Sequence, residues 1–128
     1  MSRDHRKLRV FGMADDLAVR VYHLTGSFPR EERFGLTAQL RRAAVSVAAN
    51  IVEGCARATP REYGSFLNIA FGSAAESRYL LQLSFRLKFV SDADFKAADA
   101  AFDALLGALG KLLQAVSRMP SKAGTPHL

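Results

Sequence analysis

RRAAVSVAANIVEG, residues 41–54, is the stretch on which the fold turns. Ala43, Ala44, Val45, Val47, Ala48, Ile51 and Val52 are what a buried helix needs, and Arg42, Ser46, Asn50 and Glu53 interrupt them at steps of four, four and three. At 3.6 residues per turn, these four and Gln39 fall within a sector of about 80°. The other directions are apolar: Leu36, Leu40, Ala43, Val47 and Ile51 on one flank, Val45, Ala48 and Val52 on another. A helix with one solvent face needs only one apolar stripe. The surplus predicts a helix covered twice, once by its own bundle and once by another copy of the chain.

The segments on either side follow the same helical period. Val10, Ala14, Leu17, Val21, Leu24 and Phe28 recur at steps of three and four, predicting a first helix over about Leu8 to Ser27, stopped by Gly26 and Pro29. PREER, residues 29–33, can form a short turn before Gly35. The second helix spans about Leu36 to Gly54, with Gly54 as its terminator. Thr59-Pro60-Arg61-Glu62 then sets a cap, a proline at the first helical position and a glutamate at the third, which starts a third helix running to about Phe89. Phe66, Leu67, Ile69, Phe71, Tyr79, Leu80, Leu83 and Phe85 point in most directions around it, the same apolar excess as in the second helix. Ser91 caps a fourth helix, with Asp92 and Asp94 in its first turn and Phe95, Ala98, Phe102, Leu105, Leu109, Leu112 and Val116 along one face. No segment alternates as a strand would. Short connections between long helices predict an all-α, antiparallel up-down four-helix bundle. Residues 1–128 are expected to form one domain, with a basic arm at 1–9 and a loose tail at 119–128.

The chain is 49% hydrophobic and 23% charged, the balance of a globular protein. Its start, MSRDHRKLRV, lacks the apolar run of a secretory signal, and AAVSVAANIV is too short to span a bilayer, so no membrane partner is expected. Cys55 is the one cysteine; with no internal disulfide possible, a cytoplasmic setting is expected. His5, His23 and His127 are scattered and form no HxxxH or HExxH pair, so no metal site is expected. Gly72-Ser73 sits mid-helix and makes no phosphate loop, no cofactor motif is present, and Glu53 and Glu76 have no evident substrate pocket, so no enzyme activity is expected.

Net charge is +6, with thirteen Arg to five Lys. Residues 1–60 carry ten Lys and Arg against six Asp and Glu, whereas residues 91–118 carry three against four. Arginine suits bidentate contact with phosphate, so Arg3, Arg6, Lys7, Arg9, Arg30, Arg33, Arg41, Arg57 and Arg61 are the candidates for a nucleic-acid surface. No aromatic side chains are interleaved with them in the way a base-stacking platform would need, which points to phosphate contacts rather than base stacking. Gln39, Arg42, Ser46, Asn50, Glu53, Ser73 and Glu76 admit two readings. They form a buried or interfacial network, in which Arg42 and Glu53 pair with groups on the third helix, or they line a binding groove.

FPREERFGLTAQLRRAAVSVAANIVEGCAR and EYGSFLNIAFGSAAESRYLL together resemble the bacterial four-helix-bundle proteins encoded in intervening sequences of 23S ribosomal RNA genes, and their stand-alone relatives. The marks are Phe28-Pro29, the series Gln39, Arg42, Ser46, Asn50, Glu53 and Gly54, the series Phe66, Leu67, Ala70, Gly72 and Ser73, and Glu76, within a resemblance from about Val10 to about Val116. The resemblance implies a homopentameric ring of four-helix bundles, no enzymatic activity and a role in RNA binding. A looser likeness in size, basicity and ring assembly exists to the accessory proteins of diversity-generating retroelements, which bind nucleic acid and a reverse transcriptase. Phe11 stands where the family commonly has Trp, and Lys88 where a Gly often ends the third helix. The functional expectation is an oligomer whose basic surface binds RNA or DNA. The alternative is a protein-interaction scaffold with an unknown protein partner and no nucleic-acid role.

Overall fold

The computed structural model describes residues 3–120; all of the expected tail at 119–128 but its first two residues, with His127, lies outside them, as do Met1 and Ser2. A 3-10 turn at His5–Lys7 precedes α1 (Arg9–Thr25), and a second at Arg30–Glu32 precedes α2 (Leu36–Cys55). α3 (Pro60–Arg86) and α4 (Asp92–Ser117) complete an all-helical bundle in which consecutive helices pack on each other and α4 closes on α1. No strand occurs among the described residues.

Local chemistry sets most of the helix starts. Thr59 Oγ1 accepts from the Glu62 amide at 3.2 Å, and Ser91 Oγ from the Asp94 amide at 3.2 Å. α2 is capped from further back, where the Glu32 carboxylate accepts from the Leu36 amide at 3.1 Å. Ala14, Leu17 and Val21 of α1, Leu40, Val47 and Ile51 of α2, Leu67, Ala70, Ala74 and Leu81 of α3, and Phe102, Leu105 and Leu109 of α4 fill the centre. The buried hydroxyls of Thr25, Ser77 and Ser84 each donate to the carbonyl four residues back, so they enter the core with no unmet bond. Phe11, in the Trp position, is half-buried with its ring edge-on to His5.

Two helix ends fall where the sequence expectation put them, within a residue or two, and a third does not. α2 ends at Cys55, one residue past Gly54. Gly54 is also where α3 approaches closely, because a Cβ there would stand 3.0 Å from Phe66 Cβ and 3.3 Å from the Tyr63 carbonyl oxygen. Gly26 caps α1 in ordinary right-handed conformation (φ −61°), so its freedom is not used. α3 stops at Arg86 rather than near Phe89. The Phe89 amide returns to the Ser84 carbonyl (2.9 Å) and the Lys88 amide to that of Phe85 (2.9 Å), a Schellman closure. Lys88 holds the left-handed position (φ 67°), so the turn is the glycine turn made with a lysine.

α4 is long and apolar enough to cross a membrane by length and composition alone. One row of it, Ala98, Phe102, Leu105, Leu109 and Val116, is buried as a wall of the bundle, and Asp99 and Asp103 bind Arg78 of α3; 22% of its apolar stretch is buried in this way.

Candidate functional site

The polar line on α2 divides into a closed middle and open ends. Ser46 and Ser73 join α2 to α3 through their hydroxyls at 2.9 Å. Asn50 Nδ2 donates to the Ser46 carbonyl (2.8 Å) and hydroxyl (3.0 Å). Glu53 does not reach α3; it pairs with Arg57 one turn on, whose guanidinium lies 5.0 Å over the Phe66 ring. Arg42, Gln39 and Glu76 are exposed and line a shallow depression with Ala43, Val45, Ser46 and Ser73. None of Arg42, Gln39 and Glu76 makes a side-chain hydrogen bond or ion pair to another described residue, so the expected pairing of Arg42 across the helices is not formed within the chain. Just beyond the line Val45 (42% exposed) and Val52 (37%) face outward on α2, and Ile69 (50%) on α3.

The nine basic candidates lie at opposite ends of the bundle and in two physical states. At the end where α1 and α3 begin, Arg3 is a clasp: its amide donates to the Cys55 carbonyl (2.8 Å), its Nη1 to the Arg57 carbonyl (3.1 Å), and its guanidinium stacks 4.0 Å over Tyr63. Arg6 grips Asp4 through two bonds of 3.0 and 3.1 Å, which hold that carboxyl below its ordinary range. Arg57 is engaged by Glu53. Lys7, Arg9 and Arg61 are exposed and have no ion-pair partner among the described residues. The Arg3 clasp covers Cys55 and Tyr63, and burial pushes the Cys55 thiol up and Tyr63 up to about 12. A thiol held protonated in this way is a packing group rather than a nucleophile.

At the other end, Arg30 and Arg33 are exposed on the α1–α2 connection. Arg41 is fixed: its Nε donates to Thr25 Oγ1 (2.7 Å), its Nη2 to the Tyr22 carbonyl (3.4 Å), and it lies 4.4 Å over the Tyr22 ring, closing the last carbonyls of α1. There the fold builds a cleft of about 460 Å³ from Tyr22, Arg33, Phe34, Thr37, Ala38, Arg41, Arg42 and Val45. Three arginines therefore share one concavity with two aromatic rings, an arrangement of which the order of residues along the chain displays only the Arg33-Phe34 pair. Phe34, beside Arg33 in the sequence, was the readable signal; its ring is 86% exposed, with the Arg33 guanidinium 5.3 Å away. Tyr22 comes from the preceding helix and only the bundle brings it in. Among the described residues, no three His, Cys, Asp or Glu side chains gather to hold a metal ion.

The model of the 23S rRNA-intervening sequence protein family matches residues 6–111, and the chain belongs to that family. Among solved structures it is similar to a protein of unknown function from the S23 ribosomal protein family of Bacteroides thetaiotaomicron. The TM-score is 0.77 at 23% identity, over 82% of this chain and 98% of that one. No curated protein matches the sequence.

Proposed function

We propose that this member of the 23S rRNA-intervening sequence protein family is a non-enzymatic homopentameric ring that binds RNA or DNA through phosphate contacts. The observation that carries the reading is the state of its cations. Lys7, Arg9, Arg30, Arg33 and Arg61 are exposed with no ion-pair partner among the described residues, while Arg3, Arg6, Arg41 and Arg57 are spent inside the chain. Unpaired arginine and lysine at bundle ends attract polyanions, and repetition around a ring multiplies weak contacts. Support for assembly comes from the outward apolar row of Val45, Val52 and Ile69, which a second copy would cover.

Binding to structured RNA, unstructured RNA and duplex DNA at two salt concentrations tests this, alongside light scattering on the 14.0 kDa chain. The expected result is a particle about five times the chain mass and affinity that falls steeply with salt as counterions are released. Lys7→Glu, Arg9→Glu and Arg61→Glu together should weaken binding to all three ligands and leave the particle intact. Absence of wild-type binding at low salt would refute the nucleic-acid reading and leave the scaffold, and a monodisperse monomer would refute the ring.

A further inference from the structure

We propose that the cleft between the end of α1 and the start of α2 seats an unpaired nucleobase with its flanking phosphates, making this end of the bundle specific for single-stranded nucleic acid. The inference rests on the nucleic-acid reading above and assigns it a site.

The cleft walls make two different demands on an occupant. Phe34 and Tyr22 offer ring faces, with exposures of 86% and 47%. Arg33 and Arg42 offer guanidinium groups with no side-chain hydrogen bond or ion pair to another described residue. Arg41 is different, since its donors already serve Thr25 and the Tyr22 carbonyl, so it holds the wall and orients the Tyr22 ring. No carboxylate lines the cleft. Glu32, the nearest acid in sequence to Arg33, has an oxygen committed to the start of α2. An occupant must therefore be anionic and carry a flat, stackable surface.

A duplex meets only half of that demand. Its phosphates are outside but its bases are stacked on each other, so Phe34 would find no face to cover. A single strand presents both groups in alternation, and base–aromatic stacking tolerates any base. The concavity, about 460 Å³, lies within the range of small-ligand sites. Phe34 is also placed for capture: the connection holds it outward between the Arg30–Glu32 turn and Gly35, so one face can stack without any helix moving.

The test uses the full chain and a short unstructured RNA strand carrying one fluorescent adenine analogue whose emission is quenched by stacking, free and annealed to its complement. Wild type should quench the free strand and not the duplex. Phe34→Ala should abolish the quench and weaken single-strand binding about tenfold, with duplex binding and particle mass unchanged. Arg33→Ala and Arg42→Ala should keep the quench and each lower the salt slope for the single strand by about 0.7. Single-strand binding that survives Phe34→Ala undiminished overturns this site and leaves the broader reading standing. Equal losses on single strand and duplex, or a smaller particle for Phe34→Ala, also overturn it, the latter because the cleft is then a contact between copies. Failure of wild type to bind either form at low salt overturns both inferences.

Discussion

Gly54→Ala should destabilise the protein although alanine is the better helix former. Within an unobstructed helix the change is favourable by about 1 kcal/mol. At residue 54 the new Cβ meets Phe66 Cβ at 3.0 Å, Tyr63 Cδ1 at 3.2 Å and the Tyr63 carbonyl oxygen at 3.3 Å. Carbon atoms rest at about 3.5–4.0 Å, so the first contact is too short by roughly half an ångström. Two of the three obstructing atoms are fixed to the backbone of α3 and cannot rotate aside. Relief requires the last turn of α2 and the first of α3 to separate, which loosens Cys55 and Tyr63, 1% and 2% exposed. Overpacking of this kind costs about 1–3 kcal/mol, and subtracting the helix gain leaves a net loss of about 0–2 kcal/mol. Gly107, on α4, is the internal control: no atom stands within 4 Å of its Cβ position, so Gly107→Ala should gain about 1 kcal/mol. The quantity to measure is the difference between the two variants, expected at about 1–3 kcal/mol and about 3–5 °C in Tm per kcal/mol for a chain of this size. Urea unfolding at one protein concentration, with unchanged m, reads it directly. A Gly54→Ala variant as stable as Gly107→Ala would refute the close-approach account and return Gly54 to a mere helix terminator.

Two further variants probe the α3–α4 side. Lys88→Gly should stabilise by about 0.5–1 kcal/mol, because a left-handed lysine carries about 1–2 kcal/mol of strain and the added unfolded-state freedom of glycine returns only part of it; Lys88→Ala, which keeps the strain, should show no such gain in thermal melts. Asp99→Asn should cost about 1–3 kcal/mol at neutral pH, because Asp99 accepts two bonds from Arg78, at 2.9 and 3.1 Å. Hydrogen bonding from Arg78 is the main cause holding the Asp99 carboxyl below its ordinary 3.8, so in the acid limb the folded state binds fewer protons than the unfolded chain. The advantage of wild type over Asp99→Asn should therefore be complete above about pH 4 and shrink as pH falls through the folded value. A gap between the two that stays constant into acid would contradict the pairing.

What the sequence displays is what is decided locally. Thr59 and Ser91 announce their helices because a cap joins residues three apart, and the apolar rows of α1 and α4 are visible because a helix repeats on itself. Gly54 was legible as a glycine near a helix end but not as a contact, since a terminator and a close approach call for the same residue and only the α2–α3 pairing separates them. Lys88 carries no local sign of a left-handed turn; resemblance alone marked the position, and the backbone adopts the glycine geometry regardless. Arg78 with Asp99 and Asp103 depends on the register of two long helices, which no single segment encodes. The same holds for the basic surface. Nine cations look alike in a string of letters, yet Arg3 and Arg41 are clasps because the end of α2 with the segment after it presents carbonyls to Arg3, and α1 presents one to Arg41.

The line of polar groups on α2 can now be given a physical reason. Its middle members, Ser46 and Asn50, are half-buried and answered at 2.8–3.0 Å by each other and by Ser73, so no charge is desolvated in the seam. Small hydroxyl and amide groups, with Ala70 and Ala74 buried alongside, let α2 and α3 lie close where larger apolar side chains would hold them apart. The charged members sit at the ends of the line, where water still reaches them: Glu53 turns to Arg57, and Arg42 to the cleft that holds Phe34. Immediately outside the line, Val45, Ala49 and Val52 run along α2 at steps of four and three and are exposed among the described residues. The polar line is thus a border between a seam closed within the chain and an apolar row that is exposed on α2. A ring that buried the row could do so without dehydrating Glu53, which already has its partner, and Arg42 would remain at the rim where a phosphate can reach it.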